Sequence, residues 1–285
     1  MKTRLKCPEA SFLKVFISAD MEGVAGVVGR EHAWQEGAEF ERSRKLMTHE
    51  VNAAIEGILE VNMSATVVVN DSHWKMRNIL PEELHEAAEL LMGSPKPMSM
   101  MQGIDASFDA AFFVGYHAKM GTYSGVLEHT IWPIVSEIII NDKPMGETGI
   151  NAAVAGYFKV PVALVTGDQA VTEEARSLLG NVETVKVKEG IGRYAARCIS
   201  PSKAHRLIKE TASRTLRNLK QFKPYKIKPP IKLEIVFVNT GMTQMAELVP
   251  TAKRTSGRTV SFTSNDYLET FKAMNAMIEL AAKID

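Results

Sequence analysis

The chain has 285 residues, is 45% hydrophobic and 24% charged, and carries a formal net charge of +1. That length makes one large or two modest domains with room for a sizeable core. A charge so near zero gives no bulk attraction to nucleic acid or to a membrane surface. No run of about 18 apolar residues marks a membrane span, and the N-terminus lacks the apolar core of a signal peptide. The two cysteines, Cys7 and Cys198, fit a reducing compartment, so a cytoplasmic protein is expected.

After a short polar arm, Leu13 to Ala19 reads as a buried strand. Phe40 to Glu60 reads as a helix, with Met47, Val51, Ala54, Ile55 and Ile58 on one face at 3.6-residue spacing. Thr66 to Asn70 is the next strand. Pro81, at a first-turn position, opens a predicted helix that runs to Met92 and stops at Gly93. Asp109 to Gly115 and Ser136 to Ile140 are further strands. A helix from Thr148 to Phe158, a strand from Pro161 to Thr166 and a helix from Glu173 to Leu179 follow. Beyond about Gly190 come a basic helix (Ser202 to Phe222), a proline-rich connector (residues 223–230), strands at Leu233 to Val238 and Thr259 to Phe262, and a terminal helix from Tyr267 to Ala282.

This alternation predicts an α/β fold: a mainly parallel or mixed sheet with helices on both faces, plus a smaller C-terminal α+β part. The expected division is a metal-binding catalytic domain over residues 12–190 and an α+β domain over 191–285 that contributes oligomer contacts. Six cations between Lys203 and Lys220 make the long helix basic. No aromatic residues interleave with them as a nucleic-acid stacking surface requires, so a solvated outer face explains them better.

In open α/β sheets the binding crevice lies at the carboxyl ends of the strands, and metal-type ligands gather there. Ser18-Ala19-Asp20-Met21-Glu22-Gly23 closes the first strand. Asn70-Asp71-Ser72-His73 closes the second, and Gly115-Tyr116-His117-Ala118 the third. Asn141-Asp142-Lys143-Pro144-Met145-Gly146-Glu147 follows the fourth. Taken singly, each residue has a plain explanation: a helix cap, a turn histidine, a satisfied core imidazole or an acid on a helix dipole. Jointly, Asp20, Glu22, His73, His117 and Glu147 form a donor set for divalent metals, with Asp71 as an acceptor behind His73. His129 lies in a glycine-containing loop that reads as mobile. It is available as a general acid, base or transition-state stabiliser, but from the chain alone an exposed loop histidine is the better reading. There is no His-Glu-x-x-His helix, no G-x-S-x-G elbow, no phosphate-binding glycine loop and no Cys-x-x-Cys pair.

Together the four segments resemble the zinc-dependent D-aminopeptidase family of bacterial dipeptide-transport operons, in order and approximate spacing. The likeness extends to Leu46-Met47-Thr48, Ala152 to Tyr157, Gly167-Asp168 and Cys198-Ile199-Ser200-Pro201. It implies two zinc ions bridged by Asp20, with Glu22 and His117 on one and His73 and Glu147 on the other. It also implies a catalytic role for His129, described in the family as a nucleophile. A proton-transfer or oxyanion-stabilising role is preferred here, because metal-activated water is already nucleophilic at neutral pH. The family further implies short peptide substrates with an N-terminal D-residue such as D-Ala, and decamers of two stacked rings. Where the family has small or hydroxyl residues beside its histidine, this chain has Glu128 and Thr130. An anionic Glu128 would raise the pKa of His129 or favour a free amine. Hydrolysis of other amides or phosphoesters by the same metals, or a peptide- or metal-binding module without turnover, are the competing readings.

Overall fold

The computed structural model describes residues 13–284. The polar arm from Met1 to Phe12, with Cys7, lies outside the described residues. In chain order the elements are β1 (Lys14–Ala19), α1 (Arg30–Ala33), α2 (Phe40–Leu59), β2 (Thr66–Asp71), β3 (Ala88–Leu91), β4 (Ala110–Tyr116), β5 (Val135–Ile140), β6 (Lys143–Pro144), α3 (Glu147–Tyr157) and β7 (Val162–Asp168). Then come α4 (Gln169–Leu179), β8 (Glu183–Gly192), β9 (Ala195–Cys198), α5 (Pro201–Arg217), β10 (Ile231–Phe237), α6 (Thr240–Ala246), β11 (Lys253–Arg254), β12 (Thr259–Ser264) and α7 (Tyr267–Ala281).

Two sheets result. The larger has the order β3-β2-β1-β4-β7-β8-β9 and is parallel except for the β8–β9 pair. Its central strands are continuous apolar runs because both faces are covered. Val15, Ile17, Val67 and Val69 join one core with α2 and α5, whereas Phe16, Val68, Ala111 and Phe113 join another with α3 and the second sheet. On the first face α2 and α5 approach closely at Gly57, where any Cβ would collide with the Lys209 carbonyl. The smaller sheet, β11-β12-β10-β5-β6, is antiparallel. β10 alternates buried and exposed residues, as a strand covered on one face does. Met274 and Met277 of α7 are buried in its core.

The α/β expectation holds for the sheet and for most elements, with three differences. The helix expected over Pro81 to Met92 is absent. The chain makes turns there and then forms β3, the edge strand beside β2. Tertiary contacts override the local pattern. Asn52 on α2 donates to the Glu83 carbonyl (2.7 Å) and accepts from the His85 N–H (2.9 Å), taking backbone groups a helix would use. Leu90 packs into one core and Leu91 into the other, the alternation of a strand. Second, α5 ends at Arg217 and passes into a 3-10 turn instead of running on to Phe222. Its cations meet acids of the neighbouring elements: Lys209 with Glu56 (2.9 Å) and Glu60 (3.3 Å), and Arg214 with Glu183 (2.9 Å). Third, residue 190 falls inside β8. β9 and α5 pack on the first sheet, while β5 belongs to the second.

Candidate metal centre

β1, β2 and β4 are neighbours in the sheet, so their carboxyl ends bring Asp20, His73 and His117 to one place. The chain leaving β1 is tied to β4 by two backbone bonds, Asp20 N–H to Val114 O (2.8 Å) and Gly23 N–H to Gly115 O (2.7 Å). Gly23 is required for space, since a Cβ there would collide with the Tyr116 and Gly115 carbonyls. Glu147 is the first residue of α3, which carries it to the same spot from the other sheet.

The residues between the ligand candidates hold these strand ends together. Ser18 Oγ lies 2.7 Å from Ser72 Oγ and 2.7 Å from Tyr116 Oη, and donates to Met100 O (2.9 Å). Asn151 Nδ2 of α3 donates to Tyr116 Oη (3.0 Å). One hydroxyl each from β1, the end of β2 and β4 thus meets in a buried network beneath the site. Lys188, fully buried, donates its ammonium hydrogens to the carbonyls of Glu22, Val24 and Val27, closing the loop that carries Glu22.

All five expected ligands and His129 come together. Asp20, Glu22, His73, His117 and Glu147 are each 1–5% exposed. The hydrogen bonds fix how the histidines face. His73 donates from Nε2 to Ala33 O (2.6 Å), leaving Nδ1 toward Glu22 Oε2 (2.9 Å) and Asp20 Oδ1 (3.3 Å). His117 donates from Nδ1 to Ala118 O (2.9 Å), leaving Nε2 toward Glu147 Oε2 (3.4 Å) and Asp20 Oδ2 (3.5 Å). His129 donates from Nδ1 to Leu127 O (3.0 Å), and its Nε2 stands 3.7 Å from Glu147 Oε1. Its ring stacks on that of His117 at 4.1 Å. A backbone carbonyl fixes each tautomer, as second-layer groups do for ligating imidazoles.

Asp71 does not support His73 directly. Its oxygens accept from Asn78 N–H (2.5 Å), Ile79 N–H (2.8 Å) and Asn78 Nδ2 (2.7 Å), and Asn78 Nδ2 in turn donates to His73 O (2.6 Å). Asp71 therefore shapes the loop that carries the imidazole. The segment from His117 to His129 is also held more firmly than its glycines suggest. Asp168 Oδ2 accepts from Val126 N–H (2.7 Å), Glu174 from Lys119 N–H (2.9 Å), and Glu128 pairs with Arg193 (3.1 Å). That pairing occupies Glu128. His129 is held below the usual imidazole range, first by burial and then by the His117 charge, so the expected upward push from Glu128 does not govern it.

Burial, reinforced by Glu22, pushes the Asp20 carboxyl up to about 7. Burial also opposes charge on His73 and Glu22, but their mutual attraction outweighs it, raising the imidazole and lowering the carboxyl. Asp20 Oδ2, Glu22 Oε2 and His117 Nε2 are buried without a hydrogen-bond donor or acceptor suited to them. Two sets, His117/His129/Glu147 and Asp20/Glu22/His117, each place one ligand atom per residue within 4.8 Å of the others. These acids form the floor of a cavity of about 770 Å³ that also runs past Trp34, Trp74, Trp132 and Arg30. Sequence reasoning missed these wall residues and Lys188. Only the succession His73-Trp74 hinted at the wall.

A D-aminopeptidase of Bacillus subtilis (strain 168) is 42% identical over 274 residues, covering 95% of this chain and 98% of its own. A solved structure described as the Zn-dependent D-aminopeptidase DppA from Bacillus subtilis, a self-compartmentalizing protease, superposes with a TM-score of 0.92 at 40% identity. It covers 95% of this chain and 98% of that one. The family model described as Peptidase M55, D-aminopeptidase, matches residues 13–276. That span takes in every ligand candidate and both sheets that position them, and the chain belongs to this family.

Proposed function

We propose that the cluster is the catalytic centre of a zinc-dependent D-aminopeptidase that removes an N-terminal D-residue, such as D-Ala, from short peptides. One observation carries the metal assignment: Nδ1 of His73 and Nε2 of His117 face three buried carboxylates, those of Asp20, Glu22 and Glu147. Tetrahedral zinc with ligands at about 2.0–2.2 Å separates neighbouring donors by roughly 3.3 Å. The donor spacings match that value. Asp20 Oδ1, Glu22 and His73 lie 2.9–3.3 Å apart in their direct contacts, and Asp20 Oδ2, His117 and Glu147 lie 3.4–3.5 Å apart. Asp20, Glu22 and His73 would hold one ion, and Asp20, His117 and Glu147 would hold another. These spacings pair His73 with Glu22 and His117 with Glu147, whereas the resemblance pairs Glu22 with His117 and His73 with Glu147.

Zinc held there supplies Lewis acidity, polarising a carbonyl and acidifying water at neutral pH. The chain's own groups do the rest. His129, its Nδ1 hydrogen fixed on Leu127 O, presents Nε2 to the cavity, where it takes and returns the proton that moves between water and the leaving amine. Ile131 N–H donates to Glu147 Oε1 (2.7 Å) and holds that carboxylate in place. Acids on the floor favour a free amine. Arg30, Lys75 and Arg77 on the wall favour a free carboxylate, so the cavity's polarity suits a short peptide with both termini free. The self-compartmentalizing description of the relative supports assembly of copies into a closed particle, with a decamer of two stacked rings as its form.

The test is zinc content alongside hydrolysis of D-Ala-Gly and L-Ala-Gly, with His73→Ala and Glu147→Ala as variants. Two equivalents of zinc, preference for the D-peptide, and loss of zinc with activity in both variants are expected. Full zinc and activity in the variants would remove the site assignment. Equal rates on the two peptides would remove the stereochemical one. Light scattering of the purified protein reads the assembly.

A further inference from the structure

The chain has three tryptophans, and all three line the cavity above the acid floor. Trp34 comes from the segment after α1, Trp74 directly follows His73, and Trp132 lies ahead of β5. Their rings form one continuous row, with Trp34 and Trp74 6.4 Å apart and tilted by 57°, and Trp74 and Trp132 5.6 Å apart and tilted by 48°. The Arg30 guanidinium covers the Trp34 ring at 4.7 Å.

Packing alone does not account for the row. Trp74 remains 38% exposed, far from the burial of a core indole. Its backbone sits at φ +50°, in the left-handed region that a bulky side chain avoids. The turn closed by Met76 N–H on His73 O (2.7 Å) holds it there, which places the indole beside an imidazole whose own position is set by Ala33 and the carboxylates. Strained, solvent-facing aromatics next to a reactive floor are a feature of binding sites.

Depth decides what the row can bind. The acids at the floor are 2–5% exposed, so the N-terminal residue and the bond to be cut lie deepest. The rest of a peptide must leave toward the mouth, past the indoles. Tilted rings offer a face and an edge side by side, the two surfaces an aromatic ring packs against best.

We propose that Trp34, Trp74 and Trp132 form the subsite for the residue following the scissile bond, and that the preferred substrates are short peptides with an aromatic side chain at that second position. This rests on the aminopeptidase reading and names its substrate class.

The experiment uses the zinc-loaded enzyme with D-Ala-D-Phe and D-Ala-Gly. The wild type is expected to favour the phenylalanine peptide by tenfold or more in kcat/KM. Trp74→Ala and Trp132→Ala should each lower that value at least fivefold, mainly through KM, and lower it by a smaller factor for D-Ala-Gly, which has no side chain to set on the rings. Trp74→Phe should restore most of the preference. Because every tryptophan lies in the row, intrinsic fluorescence reports the subsite directly. The product D-phenylalanine, which is not turned over, should change the emission saturably, and glycine should not. Equal rates on the two peptides, equal losses on both in the variants, or an emission indifferent to D-phenylalanine would each overturn the proposal. Failure to cleave either peptide, with the fluorescence response intact, would instead overturn the aminopeptidase reading and leave the subsite standing.

Discussion

Replacing Glu50 with Gln is expected to stabilise the protein at alkaline pH and to lose that advantage in acid. Glu50 is on α2, 1% exposed. One oxygen accepts the Ala25 N–H (2.8 Å), in the loop that leaves Glu22, and the other has no partner. Burial pushes its carboxyl from 4.5 up to about 7, against the Ala25 bond and the Lys188 charge, both of which lower it. For an acid raised on folding, the native state holds its proton more tightly than the unfolded chain does. The stability this gives is fully present below pH 4.5 and is lost as pH rises through 7. A shift of two to three units corresponds to about 3 kcal/mol over the whole titration, with ~2 kcal/mol of it falling between pH 5 and 8. Gln keeps the acceptor for Ala25 and does not titrate. Urea unfolding of wild type and Glu50→Gln at pH 5 and pH 8 reads the effect. Because the two proteins are compared at each pH, losses common to both, including any loss of metal, cancel. The variant should gain on the wild type by ~2 kcal/mol between the two pH values. A constant difference across pH would refute the reasoning, since it would mean that Glu50 is ionised equally in the folded and unfolded chain.

The remaining predictions concern packing and the positioning of the site. Gly57→Val should destabilise the fold by about 2–3 kcal/mol in urea unfolding, because the α2–α5 contact leaves no room for a side chain. Asp168→Ala removes the cap on Val171 N–H (2.8 Å) and the bond to Val126 N–H (2.7 Å). It should cost roughly 2–3 kcal/mol in stability. It should also lower kcat more than it raises KM, with zinc content unchanged, since the loop bearing His129 loses its anchor. Arg30→Gln should raise KM several-fold for D-Ala-Gly and leave KM for the C-terminal amide of that peptide unchanged, if Arg30 receives the carboxylate.

The elements that the sequence shows most directly are the central strands. Val15 to Ile17, Val67 to Val69 and Ala110 to Val114 are unbroken apolar runs, because each is covered on both faces. Local pattern failed where distant groups decided the outcome. Pro81 to Met92 has helical punctuation, yet Asn52 takes its turn's backbone groups and β2 offers an edge to pair with. β8 is foreshadowed by the alternation of polar and apolar residues from Thr184 to Lys188. Gly190 and Gly192 read locally as a break, whereas they lie in the strand: a Cβ on Gly190 would collide with the Ser124 carbonyl. The mixing of the two sheets was not legible either. β5 and β10 pair across more than 90 residues of chain, and nothing in either segment names its partner.

At the site, the ligand candidates are legible because acids and imidazoles recur together at several strand ends, although each alone has a plain explanation. What holds them is not. Ser18, Ser72 and Tyr116 sit inside the same short segments as Asp20, His73 and His117, yet their types suggest only turns and core. The structure gives each a partner among the others, so the hydroxyl network fixes the spacing of three strand ends that carry three ligand candidates. Removing the Ser18 hydroxyl would leave the other two buried without a full set of partners, and the strand ends would move relative to one another. The segments therefore work as units, each pairing a group for the metal with a group for its neighbours. The tryptophan row belongs to no such unit. It is assembled from three separate loops and shapes the cavity above the ligands without touching the network beneath them. Substrate choice can change in those loops while the metal centre stays as it is.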